Sequence, residues 1–404
     1  MSEFGWIDFS SSDRNVVSQI IAMNSEPGTL DELGIGQLRD AYADVLFPGF
    51  STIQTRAKYF ITIPRMIRDY WVSGEKKKSQ ELIEYLKVKE WELTQTLCKQ
   101  NYDNKDIGII GGSNYLDNKD VARHPSSIYW NGLRVLKLIN TEVSLAEFSR
   151  DLLKKDRTML ASSEDENSTE DSITPLVPLG ELYDPNWYES VSIKLNGDEA
   201  ALLKHKLTQP HLEHTVLYQI FKHNLELEVI DQKYDQFPKL VDYLSSKNIS
   251  ATCLDSITRA NEFSNAIHGA HIRYNTIIAQ NSGNEKLVEN YSEQFHEWYN
   301  NNQTIFNSKS AYNWCSILSD RRHIRPQVFI QNWNNLLQDF SGNQAEVEEL
   351  DTCIRKRAQD NKGARSLLYK DLGSTPKWEG MSTLSYRWPQ VRTILKDIVE
   401  VLHA

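Results

Sequence analysis

The stretch Tyr386-Arg387-Trp388-Pro389-Gln390-Val391-Arg392-Thr393-Ile394-Leu395-Lys396-Asp397-Ile398-Val399-Glu400-Val401-Leu402 decides the fold class. Trp388, Val391, Ile394, Leu395, Ile398 and Leu402 recur at three- and four-residue steps, the spacing that lines one side of an α-helix. Pro389 falls in the first turn, where its missing N–H costs no intrahelical bond. Upstream the same pattern returns: Leu212, Val216, Ile220 and Phe221 share one face, and Leu240, Tyr243 and Leu244 another. From about residue 197 onward the chain reads as helical. Before that, Val191, Ile193 and Leu195 alternate like one strand, and Asn196 with Glu199 has the spacing of a capping box.

The N-terminal part is also helical in pattern. Ser10 to Ser12 can cap a helix carrying Val16, Val17, Ile20 and Ile21, and Leu38, Ala41, Tyr42, Val45 and Leu46 mark a second. Ser51-Thr52 is read as the cap of a third, with Ile53, Ala57, Phe60 and Ile67 inward and a kink or split at Pro64. Residues 75–100 form another, burying Leu82, Ile83, Leu86, Trp91 and Leu97. Pro125-Ser126-Ser127 starts a helix through Ile128 and Leu133. Ser144-Leu145-Ala146-Glu147 caps the next, and this pair suits part of a helix-turn-helix or winged-helix unit, or plain core packing. The stretch 162–172 is acidic, has no large apolar residue and reads as a flexible linker. The expected fold is mainly α with few short strands: an N-terminal helical module over 1–100, a winged-helix-like unit over 101–161, a linker and extended segment over 162–190, and a helical domain over 191–404.

The chain has 404 residues, 40% hydrophobic and 25% charged, with a formal net charge of −10. This is an ordinary globular composition, and the charge argues against a basic nucleic-acid-binding tail. Cys98, Cys253, Cys315 and Cys353 have no close spacing, so neither a zinc knuckle nor a disulfide framework is written. No apolar run nears the roughly 20 residues that span a bilayer, and residues 1–12 lack a signal-peptide core. A cytoplasmic protein is expected, with no membrane partner.

Catalytic motifs are sparse. Ile107-Gly108-Ile109-Ile110-Gly111-Gly112 matches neither phosphate-binding glycine fingerprint. His211/His214 and His268/His271 each lie three residues apart on a helix face, but lack the matched carboxylates of helix-bundle metal sites. Surface or capping histidines are the better reading, and no metal or cofactor is expected. Asp231-Gln232-Lys233 superficially matches the end of a metal-dependent nuclease site, with Asp198 or Glu226 as upstream carboxylates by proximity alone. A solvated helix end or turn is the better reading.

Charge distribution is more informative. Residues 353–396 hold ten Lys/Arg against three Asp/Glu, and residues 56–89 hold nine against four. Arg355, Lys356, Arg357, Lys362, Arg365 and Lys370 are interleaved with Tyr369, Trp378, Tyr386 and Trp388, the combination that phosphate contact and base stacking use. An acidic protein partner, or a solvated basic surface, fits the same composition. Gln54 and Lys58 would share one helix face and are candidate contacts as well. Arg56 would point about 160° away, as a buried organiser pairing with Asp40 or Asp44. Trp6, Phe9, Phe47 and Phe60 would supply an aromatic core.

Gly5-Trp6-Ile7-Asp8-Phe9-Ser10, Glu26-Pro27-Gly28-Thr29, Asp31-Glu32-Leu33-Gly34-Ile35-Gly36, Arg39-Asp40-Ala41, Leu46-Phe47-Pro48-Gly49 and Ser51 to Phe60 follow one another in the order of a known family. Pro125 to Leu133, Lys362-Gly363-Ala364-Arg365 and Tyr386-Arg387-Trp388 continue the likeness. The chain resembles an uncharacterised bacterial family, a domain of unknown function numbered six-three-six-one, over nearly its whole length. The acidic 162–172 stretch looks like an insertion. The resemblance supplies no active site to carry over; it implies a bacterial gene near phage-defence and mobile-element genes. The function expected is therefore a non-catalytic component of a phage-defence assembly that contacts nucleic acid through basic helices. The alternatives are a scaffold for a neighbouring helicase or nuclease effector, and a metal-dependent nuclease.

Overall fold

The structure is a computed structural model that describes residues 31–72, 81–101, 107–115, 121–160, 176–179, 184–306, 308–318, 324–380 and 383–404. These residues form fifteen α-helices, short 3-10 turns and no strand, a mainly α fold. In chain order they are α1 (Gly36–Leu46), α2 (Tyr59–Val72), α3 (Leu82–Gln100), α4 (Pro125–Val135) and α5 (Leu145–Leu160). Then come α6 (Gly197–Leu207), α7 (Val216–Lys222), α8 (Glu226–Val229), α9 (Phe237–Ser245) and α10 (Ala251–Asn281). The last five are α11 (Glu285–Asn302), α12 (Ser308–Cys315), α13 (Ile324–Gln338), α14 (Gln344–Lys362) and α15 (Trp388–Leu402). The chain divides into two compact units: the described part of Met1–Tyr42 with Ile257–Leu384, and Ala43–Ser256 with Ser385–Ala404. Both are discontinuous, whereas the sequence reads as consecutive segments. No described helix is long and apolar enough to cross a membrane. The 162–172 stretch, the Val16–Ile21 helix, and Trp6 and Phe9 lie outside the described residues.

In the second unit, the helical face read in α15 is its buried face: Trp388, Val391, Ile394, Leu395 and Ile398 are enclosed. Phe47 stacks on Trp388 and meets Phe237 edge-on, and Phe60 packs edge-on to Tyr129. The expected strand is absent. Val191, Ile193 and Leu195 are buried in an irregular connection, and the Gln100 side chain, not a neighbouring strand, donates to the Val191 carbonyl. Both capping boxes form, Ser144 with Glu147 and Asn196 with Glu199. The connection over residues 136–144 exceeds the three- or four-residue turn of a helix-turn-helix, and no wing strand forms among the described residues. Trp130 instead donates to the Val143 carbonyl and packs on Phe148, so α4 and α5 are joined through core contacts.

The third helix, expected from Ser51, begins at Tyr59. Residues 51–58 run as turns because their polar groups have tertiary partners that helical geometry would not reach. Pro64 lies inside α2 without splitting it. The helix is buried along almost its whole length, and such packing outweighs the roughly 3 kcal/mol a proline costs in a helix interior.

The first unit is organised around the Ile257–Asn281 part of α10. A β-carbon at Gly269 would stand 2.2 Å from the Trp298 ring, so only glycine allows α11 to pack here. Trp298 and Trp333 donate to the α10 carbonyls of Asn265 and Ala266. Arg273 holds Asp351 through both carboxylate oxygens, fixing α14 against α10.

Candidate nucleic-acid interface

In α14, Leu350, Ile354 and Ala358 are buried and fix the helix rotation. Arg357 follows Ile354 by three residues, shares that face and is 6% exposed. Its Nε donates to the Leu33 carbonyl at 2.6 Å and its Nη2 to that of Gly34 at 3.0 Å, with its guanidinium over the Phe329 ring. Arg357 therefore faces the interior and presents nothing to a phosphate. Lys356, one residue away, is exposed.

Beyond α14 the chain turns at Gly363, φ +57, into two 3-10 turns. Ser366, Leu367 and Leu368 anchor them: the Ser366 hydroxyl donates to the buried Glu32 carboxylate at 2.8 Å. The same carboxylate accepts from the Tyr274 hydroxyl. Arg365, Tyr369 and Lys370 are left exposed on this fixed frame, with Arg355 and Lys362 half-buried. No ion pair among the described residues engages Lys356, Lys362, Arg365 or Lys370. By contrast, Lys87, Lys89, Lys239 and Lys396 each close onto an acidic residue of the same segment. The aromatic complement is thinner than expected. Tyr369 is 55% exposed, but Trp378 donates to the Gly380 carbonyl, and Tyr386 and Trp388 are buried in the second unit.

Gln54 and Lys58 lie in the second unit, in the non-helical segment before α2. Gln54 is buried; it accepts from the Ser51 amide and donates to the Gly49 carbonyl. Lys58 is buried against both oxygens of Glu199, at 2.9 and 2.7 Å, and Arg65 reaches the same carboxylate at 2.6 Å. Burial acts to raise the Glu199 carboxyl. Lys58, the Asn196 amide and Arg65 outweigh it and hold the group below the usual glutamate range. Arg56 is an organiser, but its partner is Asp397 of α15 rather than Asp40 or Asp44. Asp397 also accepts from the Ala57 amide at 2.8 Å. Asp40 pairs with Arg39 and Asp44 with Arg387. Thr55 and Arg56 donate their amides to the Tyr129 hydroxyl, which donates onward to the Arg56 carbonyl. These polar residues hold the second unit together.

The remaining constellations do not assemble into a reaction centre. Asp231 caps the short Gln232–Tyr234 turn. Glu226 pairs with Lys204, and Asp198 stands exposed in the first turn of α6. His211 Nε2 lies 2.9 Å from the Val135 carbonyl and His214 Nδ1 3.1 Å from the Ser250 hydroxyl. His271 is buried beneath Gly380, and His268 packs near Trp378. No metal-binding group of three His, Cys, Asp or Glu gathers among the described residues. A small pocket missed in the sequence is lined by Glu90, Trp91, Thr94 and His124. There Glu90 accepts the Ser126 amide at 2.5 Å and lies 3.5 Å from His124 Nδ1. The two residues are far apart in sequence, so no local spacing announces them.

The model of a family of unknown function matches residues 1–292, more than half the chain. The chain belongs to DUF6361. No curated protein and no solved structure matches it. The matched span contains Gln54, Lys58, Arg65 and Glu199, whereas Asp397 and the cations between residues 356 and 370 lie beyond it.

Proposed function

We propose that this DUF6361 protein is a non-catalytic component of a bacterial phage-defence assembly that contacts nucleic acid. The contact is made through the C-terminal end of α14 and the turns after it. The observation that carries this reading is the group Lys356, Lys362, Arg365 and Lys370: four cations without ion pairs among the described residues, on a frame pinned by Ser366, Leu367 and Leu368, beside the exposed ring of Tyr369. Phosphate contact needs charge without an internal partner, and stacking needs an open aromatic face. The place in a defence assembly is supported by the gene neighbourhood that the family resemblance implies.

Fluorescence anisotropy with a short DNA duplex and a single strand, at several salt concentrations, tests the reading. Replacing all four cations by Ala should weaken binding to unrelated sequences alike. A wild-type protein that binds neither probe but captures an acidic protein partner through these residues would replace this reading with the scaffold alternative.

A further inference from the structure

Tyr369 closes the second of the two 3-10 turns after α14, where its amide donates to the Ser366 carbonyl at 3.1 Å. On one side of it the Leu368 carbonyl accepts from the Asn281 side chain, at the end of α10, at 3.0 Å. On the other, the Lys370 amide donates to the Leu367 carbonyl at 3.2 Å. Leu367 and Leu368 are buried beneath the turn. The backbone is thus fixed on both sides of a ring that is 55% exposed. Among the described residues that ring packs on no other ring, and its hydroxyl makes no hydrogen bond. Tyrosine has only two side-chain torsions to restrict, so a ring on a fixed turn offers contact area at low entropic cost.

The surroundings of the ring decide between the two forms of nucleic acid. In a duplex the base faces are hidden in the stack, and a protein reads base edges with a helix or a two-stranded ribbon in the major groove. This face offers neither. α14 arrives with its C-terminus, the negative pole of the helix dipole, which phosphate avoids. Earlier along the same helix Glu348 and Glu349 are exposed and repel a backbone laid along it. No strand forms among the described residues. What the face does present is Arg365 four residues before the ring and Lys370 directly after it, both exposed. An unpaired base has an open π-face for the ring, and its own strand carries phosphates for the cations.

We infer that the α14 face takes single-stranded nucleic acid, with one unpaired base stacked on Tyr369. This rests on the nucleic-acid reading above and adds the class of strand to it. A duplex meets the cations alone, whereas a single strand meets the cations and the ring.

The test is fluorescence anisotropy on the full chain, with short labelled single strands of DNA and RNA and the DNA duplex of the same sequence, at matched salt. At least one single strand should bind more tightly than the duplex, and the strand that gains identifies the ligand as DNA or RNA. Tyr369→Ala should weaken that binding roughly 5- to 150-fold, the span of one base–aromatic stack. Tyr369→Phe keeps the ring and should keep the affinity. A duplex bound as tightly as both single strands, or a folded Tyr369→Ala with wild-type single-strand affinity, overturns the inference. If duplex binding is then lost on replacing the four cations of residues 356–370, the α14 interface stands and this inference fails alone. A wild type that binds neither strand nor duplex removes both.

Discussion

Gln54, Lys58 and Arg65 of the second unit each end on an internal acceptor, whereas in the first unit, of Arg355, Lys356, Arg357, Lys362, Arg365 and Lys370, only Arg357 is buried on one. Both regions are rich in basic and amide side chains, and composition treats them alike. What separates them is register against the apolar residues. In α14, Leu350, Ile354 and Ala358 draw position 357 inward and turn position 356 outward. Gln54 and Lys58 precede α2 and have no helix to set a register, so these long polar side chains reach inward to the carbonyls and carboxylates that loops and distant helices leave open.

The comparison can be broken most severely at Glu199. Glu199→Ala leaves the buried Lys58 ammonium without the carboxylate that holds it, and removing one partner of a buried pair costs about 3–5 kcal/mol. Urea denaturation should show the second unit unfolding far earlier, with Glu199→Gln intermediate. A loss below about 1 kcal/mol would place these groups with ordinary surface ion pairs.

An acid titration separates the units differently. Burial holds His271 in the first unit at about 4, from an ordinary 6.5, and pushes His268 down as well. A histidine kept neutral by the fold binds its proton more tightly when unfolded. The stability tied to it is thus complete above about pH 6.5 and is lost as pH falls toward 4. At about 1.4 kcal/mol per unit the His271 contribution is roughly 3 kcal/mol. Thermal melts from pH 7 to 4 should show this loss, reduced in a folded His271→Gln variant. Equal pH dependence in both proteins would remove His271 as its source.

Arg357 tests the boundary within the basic segment itself. Arg357→Ala leaves the Leu33 and Gly34 carbonyls without their charged donor, at about 1.5–3 kcal/mol. It should lower stability while leaving the salt slope of nucleic-acid binding as in wild type. A changed slope in a folded variant would move Arg357 to the outside.

Much of the fold is legible in the sequence because it depends on local period. α15 shows its buried face in the spacing from Trp388 to Ile398, and Asn196-x-x-Glu199 and Ser144-x-x-Glu147 write their own caps. The Val191–Leu195 alternation has no such local proof, since a strand exists only with a partner and none is supplied among the described residues. Residues 51–58 carry a helical pattern but do not form a helix, because Asp397, Tyr129 and Glu199 compete for their polar groups from distant parts of the chain. Arg56 is recognisable as internal, but its partner lies 341 residues away and no spacing rule reaches it. Arg357 is legible in principle: its three-residue step from Ile354 puts it on the apolar face. Counting charge along the segment conceals that register.

The cations of the first unit that have no ion pair among the described residues carry the functional claim. The measurement is the log–log salt dependence of duplex binding for wild type and for the variant with Lys356, Lys362, Arg365 and Lys370 all replaced by Ala. These side chains have no ion pair among the described residues, so the four replacements together should change stability by no more than about 2 kcal/mol. The slope should fall by roughly three to four units, at about 0.9 for each phosphate no longer neutralised. A folded quadruple variant that binds with wild-type affinity and wild-type slope would contradict the account.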